Sequence, residues 1–115
     1  MKTIPDLEAA LWLGEFDFTP DNFDWDAGNE RKNLKHGVTA DEIESIFAQA
    51  EYVFAGRIIE PTRDEWRGLI LGPTSASRAL ALIFTRRGEK LRPISCRPMR
   101  IEERRSYEAQ VKEQA

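Results

Sequence analysis

The chain lacks residues that several classes of protein need. Its 115 residues contain one cysteine and one histidine, which excludes an internal disulfide and the Cys/His zinc sets. No apolar run approaches the ~20 residues of a membrane-spanning helix, and the N-terminus lacks the pattern of a secretory signal. The phosphate-binding motif G-x-x-x-x-G-K-[ST] and the esterase motif G-x-S-x-G are also absent. We therefore expect a cytoplasmic protein with no metal, no cofactor and no membrane partner.

Charge is distributed unevenly along the chain, although the formal net charge is only −3. Residues 1–30 carry one basic and eight acidic side chains, whereas residues 86–115 carry nine basic and five acidic ones. A basic end on an acidic protein is typical of a phosphate-binding surface or of pairing between the two ends. A solvated C-terminal helix gives the same composition, so charge alone does not decide between these interpretations.

The first part of the chain predicts short helices. Residues 1–22 are predicted as an acidic N-terminal extension that contains one helical stretch. Phe23–Asp26 is predicted as an edge strand, and a helix is expected to begin near Glu30 and to end at Gly37, a favourable C-terminal cap.

A capping box opens the next helix. Thr39 and Glu42 form the motif T-x-x-E, in which each side chain bonds the backbone N–H of the other residue. Ile43, Ile46 and Phe47 follow on one side of this helix, and we expect that side to lie in the core.

Four strand-like runs and a terminal helix complete the pattern. The short turn at Gly88 predicts an antiparallel hairpin, because a parallel crossover needs a dozen or more residues. The runs are Tyr52 to about Ile59, Trp66–Leu71, Arg78–Arg86 and Leu91–Arg97, and the helix extends from Ile101 to about Lys112. Residues 23–115 are therefore predicted as one α+β domain, with helices on one face of a meander of three or four strands.

His36 is the only histidine and lies at a predicted helix end. Lys32 precedes it by four residues, so both side chains share one side of the helix, and Lys35 is its direct neighbour. A histidine titrates near neutrality and can transfer protons beside cations that hold phosphate. A histidine favoured by the helix dipole explains the same position.

Arginines at the ends of neighbouring strands form a second group. Arg67, Arg86 and Arg97 can converge on one phosphate, because guanidinium groups donate forked, charge-assisted hydrogen bonds. Pairing of these arginines with Glu65, Glu102 and Glu103 is the structural alternative. Cys96 shares one face of the last strand with Ile94, which predicts a buried, inert thiol.

Several motifs together resemble the BrnT family of toxins. They are F-D-W-D-A-G-N at 23–29, K-H-G-V-T at 35–39, D-E-W-R at 64–67 and R-P-I-S-C-R at 92–97. The resemblance covers about residues 23–108, with Cys96 where the family usually has alanine. The acidic segment 1–22 has no counterpart in the short family members.

The resemblance implies a fold and a function. BrnT proteins are similar in fold to the RelE ribonucleases and cleave RNA without a metal, which arrests translation and growth. Their antitoxin, BrnA, carries a ribbon-helix-helix part, and the two proteins form a heterotetramer that binds operator DNA through the antitoxin. We therefore expect a metal-independent endoribonuclease whose partners are RNA and a BrnA-like protein. The alternative is a non-catalytic interaction module, or an inactive relative that retains only partner binding.

For such a reaction we hypothesise two sets of residues. His36 or Glu65 transfers protons, the arginines stabilise the charged phosphorane, and the remaining residues hold RNA. The catalytic set is His36, Glu65, Arg67, Arg86 and Arg97, and the RNA-binding set is Lys32, Lys35, Arg92 and Tyr107. The order of the residues in the chain does not assign the general acid and the general base.

Overall fold

A five-stranded antiparallel sheet is the framework of the protein in the computed structural model, which describes residues 1–49 and 51–114. The elements are β1 (Lys2–Ile4), α1 (Leu7–Glu15), α2 (Ala27–Leu34), α3 (Ala40–Ala48), β2 (Val53–Glu60), β3 (Gly68–Pro73), β4 (Ala79–Arg87), β5 (Lys90–Pro98) and α4 (Ile101–Gln114). The sheet order follows the chain from β1 to β5. The predicted α+β class and meander are confirmed. Ala50 and Ala115, which fall in the predicted 23–115 domain, lie outside the described residues.

The prediction of three or four strands is wrong, because residues near the N-terminus supply a fifth. β1 pairs antiparallel with β2 and brings Ile4 beside Arg57. Gly56 lies at a bulge of β2 with φ +121°, and a Cβ atom there would collide with the carbonyl oxygen of Ile4. Helix α1 follows and buries Ala9 and Leu13. Residues 1–22 thus share the sheet and the core of the rest of the chain.

Both helices after this segment begin at a reciprocal cap. Helix α2 starts at Ala27 rather than near Glu30, because Asp26 and Asn29 form a reciprocal cap before it. The Asp26 carboxylate accepts a hydrogen bond of 3.0 Å from the Asn29 backbone N–H, and the Asn29 side-chain oxygen accepts one of 2.8 Å from the Asp26 backbone N–H. The predicted capping box that opens α3 is confirmed. The apolar residues of α3 are fully buried, as expected, and they are Ile43, Ile46 and Phe47.

Helix α2 covers the free edge of β5. The predicted strand at Phe23–Asp26 is reduced to one bridge between Phe23 and Leu91. Further along β5, two asparagines of α2, one helical turn apart, bond the backbone groups of the strand edge. Asn29 Nδ2 donates to the Pro93 carbonyl at 2.9 Å, and Asn33 Oδ1 accepts from the Cys96 N–H at 2.8 Å. These bonds satisfy the sheet edge without another strand.

The two faces of the sheet are packed differently. Helices α1 and α3 cover one face, here called the closed face, where Ile70, Leu82 and Phe84 join the main core. Helix α4 packs on the opposite face over β2 and β3, against Leu69 and Leu71. This second face is called the open face, because its far end toward β4 and β5 carries polar side chains. No helix in the described part of the chain is long and apolar enough to span a membrane.

Candidate active site on the open face of the sheet

Three residues lie side by side across β3, β4 and β5 at one end of the open face. The register between β3 and β4 places Arg67, which immediately precedes β3, beside Thr85, and Thr85 pairs with Arg92. Thr85 Oγ1 also donates to the Trp66 carbonyl at 2.6 Å, which fixes the start of β3 against β4. Neighbouring strands are ~4.8 Å apart, so the backbones of Arg67 and Arg92 are separated by roughly 10 Å.

Glu65 is shared by two arginines next to this row. Arg87 Nε and Nη2 donate to Glu65 Oε2 at 3.3 and 3.1 Å, whereas Arg67 Nε lies 4.0 Å from Glu65 Oε1. The Arg67 guanidinium makes no hydrogen bond to a described residue, and its Nε is buried without a partner. We call Glu65, Arg67 and Arg87 the Glu65 cluster. Within it, Arg67 has the unused hydrogen-bonding capacity.

Arg92 is bound to two carboxylates. Its guanidinium contacts Asp26 at 2.9 Å and Asp24 at 3.5 Å, and its side chain is 16% exposed. Hydrogen bonds to the Asp26 carboxylate lower its pKa; the bond from the Asn29 backbone N–H has the larger effect, and the bond from Arg92 comes second. Lys32 lines the same surface groove of about 520 Å³ and adds a second cation beside Arg92.

Arg97 is paired to helix α4. It donates to the two carboxylate oxygens of Glu103 at 2.7 and 2.9 Å, and the Arg100 backbone N–H donates to Glu103 at 2.8 Å. Burial opposes ionisation of Glu103, but the hydrogen bonds from Arg97 and Arg100 outweigh burial and lower the pKa of Glu103. The same bond to Glu103 raises the pKa of Arg97. This bidentate pair fastens α4 to β5, as the structural alternative predicted.

His36 lies at the opposite end of the sheet from the Glu65 cluster. It adjoins Gly37, whose carbonyl accepts a hydrogen bond of 2.8 Å from Arg78, the residue just before β4. Glu65, in contrast, is bonded to Arg87 at the end of β4. Because a strand rises ~3.3 Å per residue, His36 and Glu65 are separated by roughly 20 Å or more. His36 and its neighbour Lys35 are both exposed. The structure therefore does not bring His36 and Arg67 to one phosphate.

Arg86 and Tyr107 are also separated from the cluster. Arg86 lies on the closed face, with its guanidinium 4.5 Å from the centre of the Trp12 ring. The Tyr107 hydroxyl donates to the Glu51 carbonyl at 2.9 Å, and burial against the sheet raises its pKa. Arg87 was not among the predicted site residues. Its place on the open face follows from alternation along the strand, because Phe84, three residues earlier, is buried on the closed face.

The remaining candidates are explained by packing. Cys96 is fully buried, and burial raises the pKa of its thiol to about 12, which confirms the predicted inert side chain. Among the described residues, no group of three or more His, Cys, Asp or Glu side chains is arranged to hold a metal ion.

Comparison with known proteins identifies a family for this chain. The sequence profile described as "Ribonuclease toxin, BrnT, of type II toxin-antitoxin system" matches residues 25–103, which include the Glu65 cluster and the whole of β2 to β5. No curated protein matches the chain with significant similarity. Strand β1 and helix α1 precede the matched residues. The match spans well over half of the chain, which therefore belongs to the BrnT family of ribonuclease toxins of type II toxin–antitoxin systems.

Proposed function

We propose that this ribonuclease toxin cleaves RNA at the Glu65 cluster without a metal ion. The observation that carries the proposal is Arg67 on the open face, a partly buried guanidinium that makes no hydrogen bond to any residue the structure describes. A buried cationic donor without a partner is costly unless a ligand satisfies it. A phosphodiester is such a ligand, because its oxygens accept the paired N–H bonds of arginine. The RelE-like character of the fold, implied by the resemblance, belongs to the same proposal.

The cluster holds the groups that cleavage by the neighbouring 2′-hydroxyl requires. Glu65 takes the 2′-hydroxyl proton, and the 2′-oxygen attacks phosphorus as the bond to the 5′-oxygen breaks. The leaving oxygen takes a proton from water, which gives a 2′,3′-cyclic phosphate and a 5′-hydroxyl. The hydroxide ion left by that water is neutralised by the proton that Glu65 then releases, which returns the carboxylate to its starting state. Arg67 stabilises the charge that develops on the phosphorane, and Arg87 orients Glu65 through its two bonds to Oε2. Arg92 and Lys32 contact phosphates further along the strand.

Distance favours Glu65 over His36 as the proton-transfer group of this proposal. His36 lies at the other end of β4, so the general base of this proposal is Glu65, and His36 and Lys35 contact RNA only beyond the scissile bond. Arg97 holds α4 instead of phosphate, and Arg86 faces the other side of the sheet.

The test is cleavage of an end-labelled RNA with and without a chelator. We expect equal rates in both conditions and a product that ends in a 2′,3′-cyclic phosphate. Arg67→Ala should lower the cleavage rate by about 10²- to 10³-fold. Arg67→Lys should restore part of it, because lysine keeps the charge but not the fork. Arg105→Ala, on the exposed side of α4, is the matched control. Cleavage that requires Mg²⁺ contradicts the proposal, as does a parental cleavage rate in Arg67→Ala. A parent protein that does not cleave RNA supports the non-catalytic alternative.

We propose further that a BrnA-type antitoxin with a ribbon-helix-helix part neutralises the toxin in the cytoplasm. Family membership supports an antitoxin partner, and the resemblance supports a heterotetramer that binds operator DNA through the antitoxin. Co-expression with the protein of an adjacent reading frame should relieve growth arrest. The mass of the purified complex should correspond to two copies of each chain. Operator binding by the toxin alone would contradict this assignment.

A further inference from the structure

A second pocket, lined by two arginines and two carboxylates, lies on the closed face, across the sheet from the Glu65 cluster. Its volume is about 440 Å³, within the range of small-molecule sites. One wall is the start of α1, with Glu8 and Ala9, and the other is the sheet, with Arg57, Trp66 and Arg86. Three of the eight lining residues, Asp6, Glu8 and Ala9, therefore come from the segment that precedes the residues matched by the BrnT family.

The two arginines of this pocket have unused donors. Neither Arg57 nor Arg86 makes a hydrogen bond or an ion pair with any residue that the structure describes, although both line the cavity. Arg86 is held in place by its contact with the Trp12 ring, which orients the guanidinium without using its N–H groups. Two guanidiniums at one cavity, that of Arg86 held by Trp12, are suited to a phosphate group.

The acidic residues around the pocket have separate roles. Both oxygens of Asp6 are bonded, one to the Ala9 N–H at 3.1 Å and the other to Trp66 Nε1 at 2.9 Å. The bond from Ala9, followed by that from Trp66, lowers the pKa of Asp6, so its charge is fixed by the fold. Glu8 is exposed at the rim. It repels an anion and limits the affinity for one.

We propose that this pocket binds a nucleoside monophosphate, either free or as the 5′-phosphorylated terminal nucleotide of an RNA. Arg57 and Arg86 bind the phosphate, and the base packs against the indole of Trp66, which lines the cavity and is half-buried. Stacking on an aromatic side chain accepts any base, so the site discriminates by the phosphate and not by the identity of the base. The site is independent of the Glu65 cluster and of the cleavage that we assign to it.

Calorimetric titration of the full chain with a nucleoside monophosphate tests the proposal. Loss of one charge-assisted contact should weaken binding about tenfold in Arg57→Ala and again in Arg86→Ala. Glu8→Gln should tighten binding, because it removes the negative charge at the rim. Arg105→Ala, on the exposed side of α4, should bind like the parent protein. Circular dichroism of each variant confirms that it is folded.

Further ligands identify the source and can overturn the assignment. A 5′-phosphorylated trinucleotide made of 2′-deoxy units resists cleavage, and it should bind if the natural ligand is the end of an RNA. If the natural ligand is a free nucleotide, the monophosphate should bind and the trinucleotide should not. The nucleoside without phosphate should bind at least tenfold more weakly. Equal affinity for the nucleoside and its monophosphate overturns the proposal, as do folded Arg57→Ala and Arg86→Ala variants with parental affinity, or inorganic phosphate that binds as tightly as the nucleotide.

Discussion

The two faces of the sheet carry arginines in opposite states. On the open face, Arg92 and Arg97 are bound to carboxylates, and Arg87 is bonded to Glu65. On the closed face, Arg57 and Arg86 have no carboxylate within ion-pairing distance in the described part of the chain. Arg67 is the exception on the open face, since its single contact with Glu65 is 4.0 Å long.

The difference shows that a cluster of basic residues in a sequence contains cations of several kinds. Paired arginines fasten strands and helices to each other, and unpaired ones remain available for a ligand. Alternation along β4 separates two neighbours in the chain, Arg86 and Arg87, onto different faces. We therefore expect substitutions in the Glu65 cluster to affect cleavage and substitutions at the Arg97–Glu103 pair to affect stability. Substitutions on the closed face should affect stability or the second pocket.

The largest expected effect is that of Arg67→Ala. Removal of a preorganised donor to the developing charge should lower the cleavage rate by about 10²- to 10³-fold. Arg86→Ala should lower the cleavage rate by less than about threefold, because this residue faces away from the Glu65 cluster. That loss is far smaller than the one expected for Arg67→Ala. Single-turnover rates on one labelled RNA compare the two variants. Equal losses in both would remove the distinction between the faces.

Glu103→Gln tests the paired state of the open face through stability. Loss of the charged bonds from Arg97 and Arg100 should lower the free energy of unfolding by about 2 kcal/mol at neutral pH. The pKa of Glu103 is lowered by folding, so its stabilisation is complete above the ordinary carboxyl pKa of ~4.3 and disappears as pH falls through the folded value. Urea unfolding at pH 7 and pH 3 measures this, and an equal difference at both values would contradict it.

Arg87→Ala tests the orientation of Glu65. Without its two bonds to Oε2, Glu65 loses its fixed position and cleavage should slow by about tenfold, with kcat affected more than KM. Arg87→Lys should recover part of the loss. A purely structural role would instead lower the melting temperature of Arg87→Ala and leave the cleavage rate of the folded fraction at the parental value.

The smallest effect is expected for Thr39→Ala on the closed face. The hydroxyl of Thr39 caps α3 at 3.2 Å from the Glu42 N–H, and such a cap contributes about 1 kcal/mol. Thermal unfolding should detect this loss while the cleavage rate stays unchanged. A loss of cleavage in a folded Thr39→Ala protein would show that the two faces are coupled.

Local signals in the sequence were sufficient for much of the fold. Thr39 and Glu42 predicted the start of α3, and the turn at Gly88 predicted the β4–β5 hairpin. Strand β1 was missed because three residues carry no readable alternation and because its docking depends on Gly56, which is distant in the chain.

The candidate site was only partly predictable. Glu65 and Arg67 are close in the chain, so their shared position followed from the sequence. The separation of His36 from them depends on which end of β4 each adjoins, and this is a property of the assembled sheet. The sequence also left open whether Arg97 was free or paired, and the contact with Glu103 answers that question.

Locating bound RNA is the most direct test of the Glu65 cluster as the cleavage site. A short oligonucleotide with a 2′-O-methyl group at the scissile position cannot be cleaved, and it can be titrated into the labelled protein and followed by NMR. We predict chemical-shift changes centred on Arg67, Thr85 and Arg87. Changes centred on His36 and Arg97, with none at Arg67, would contradict the account.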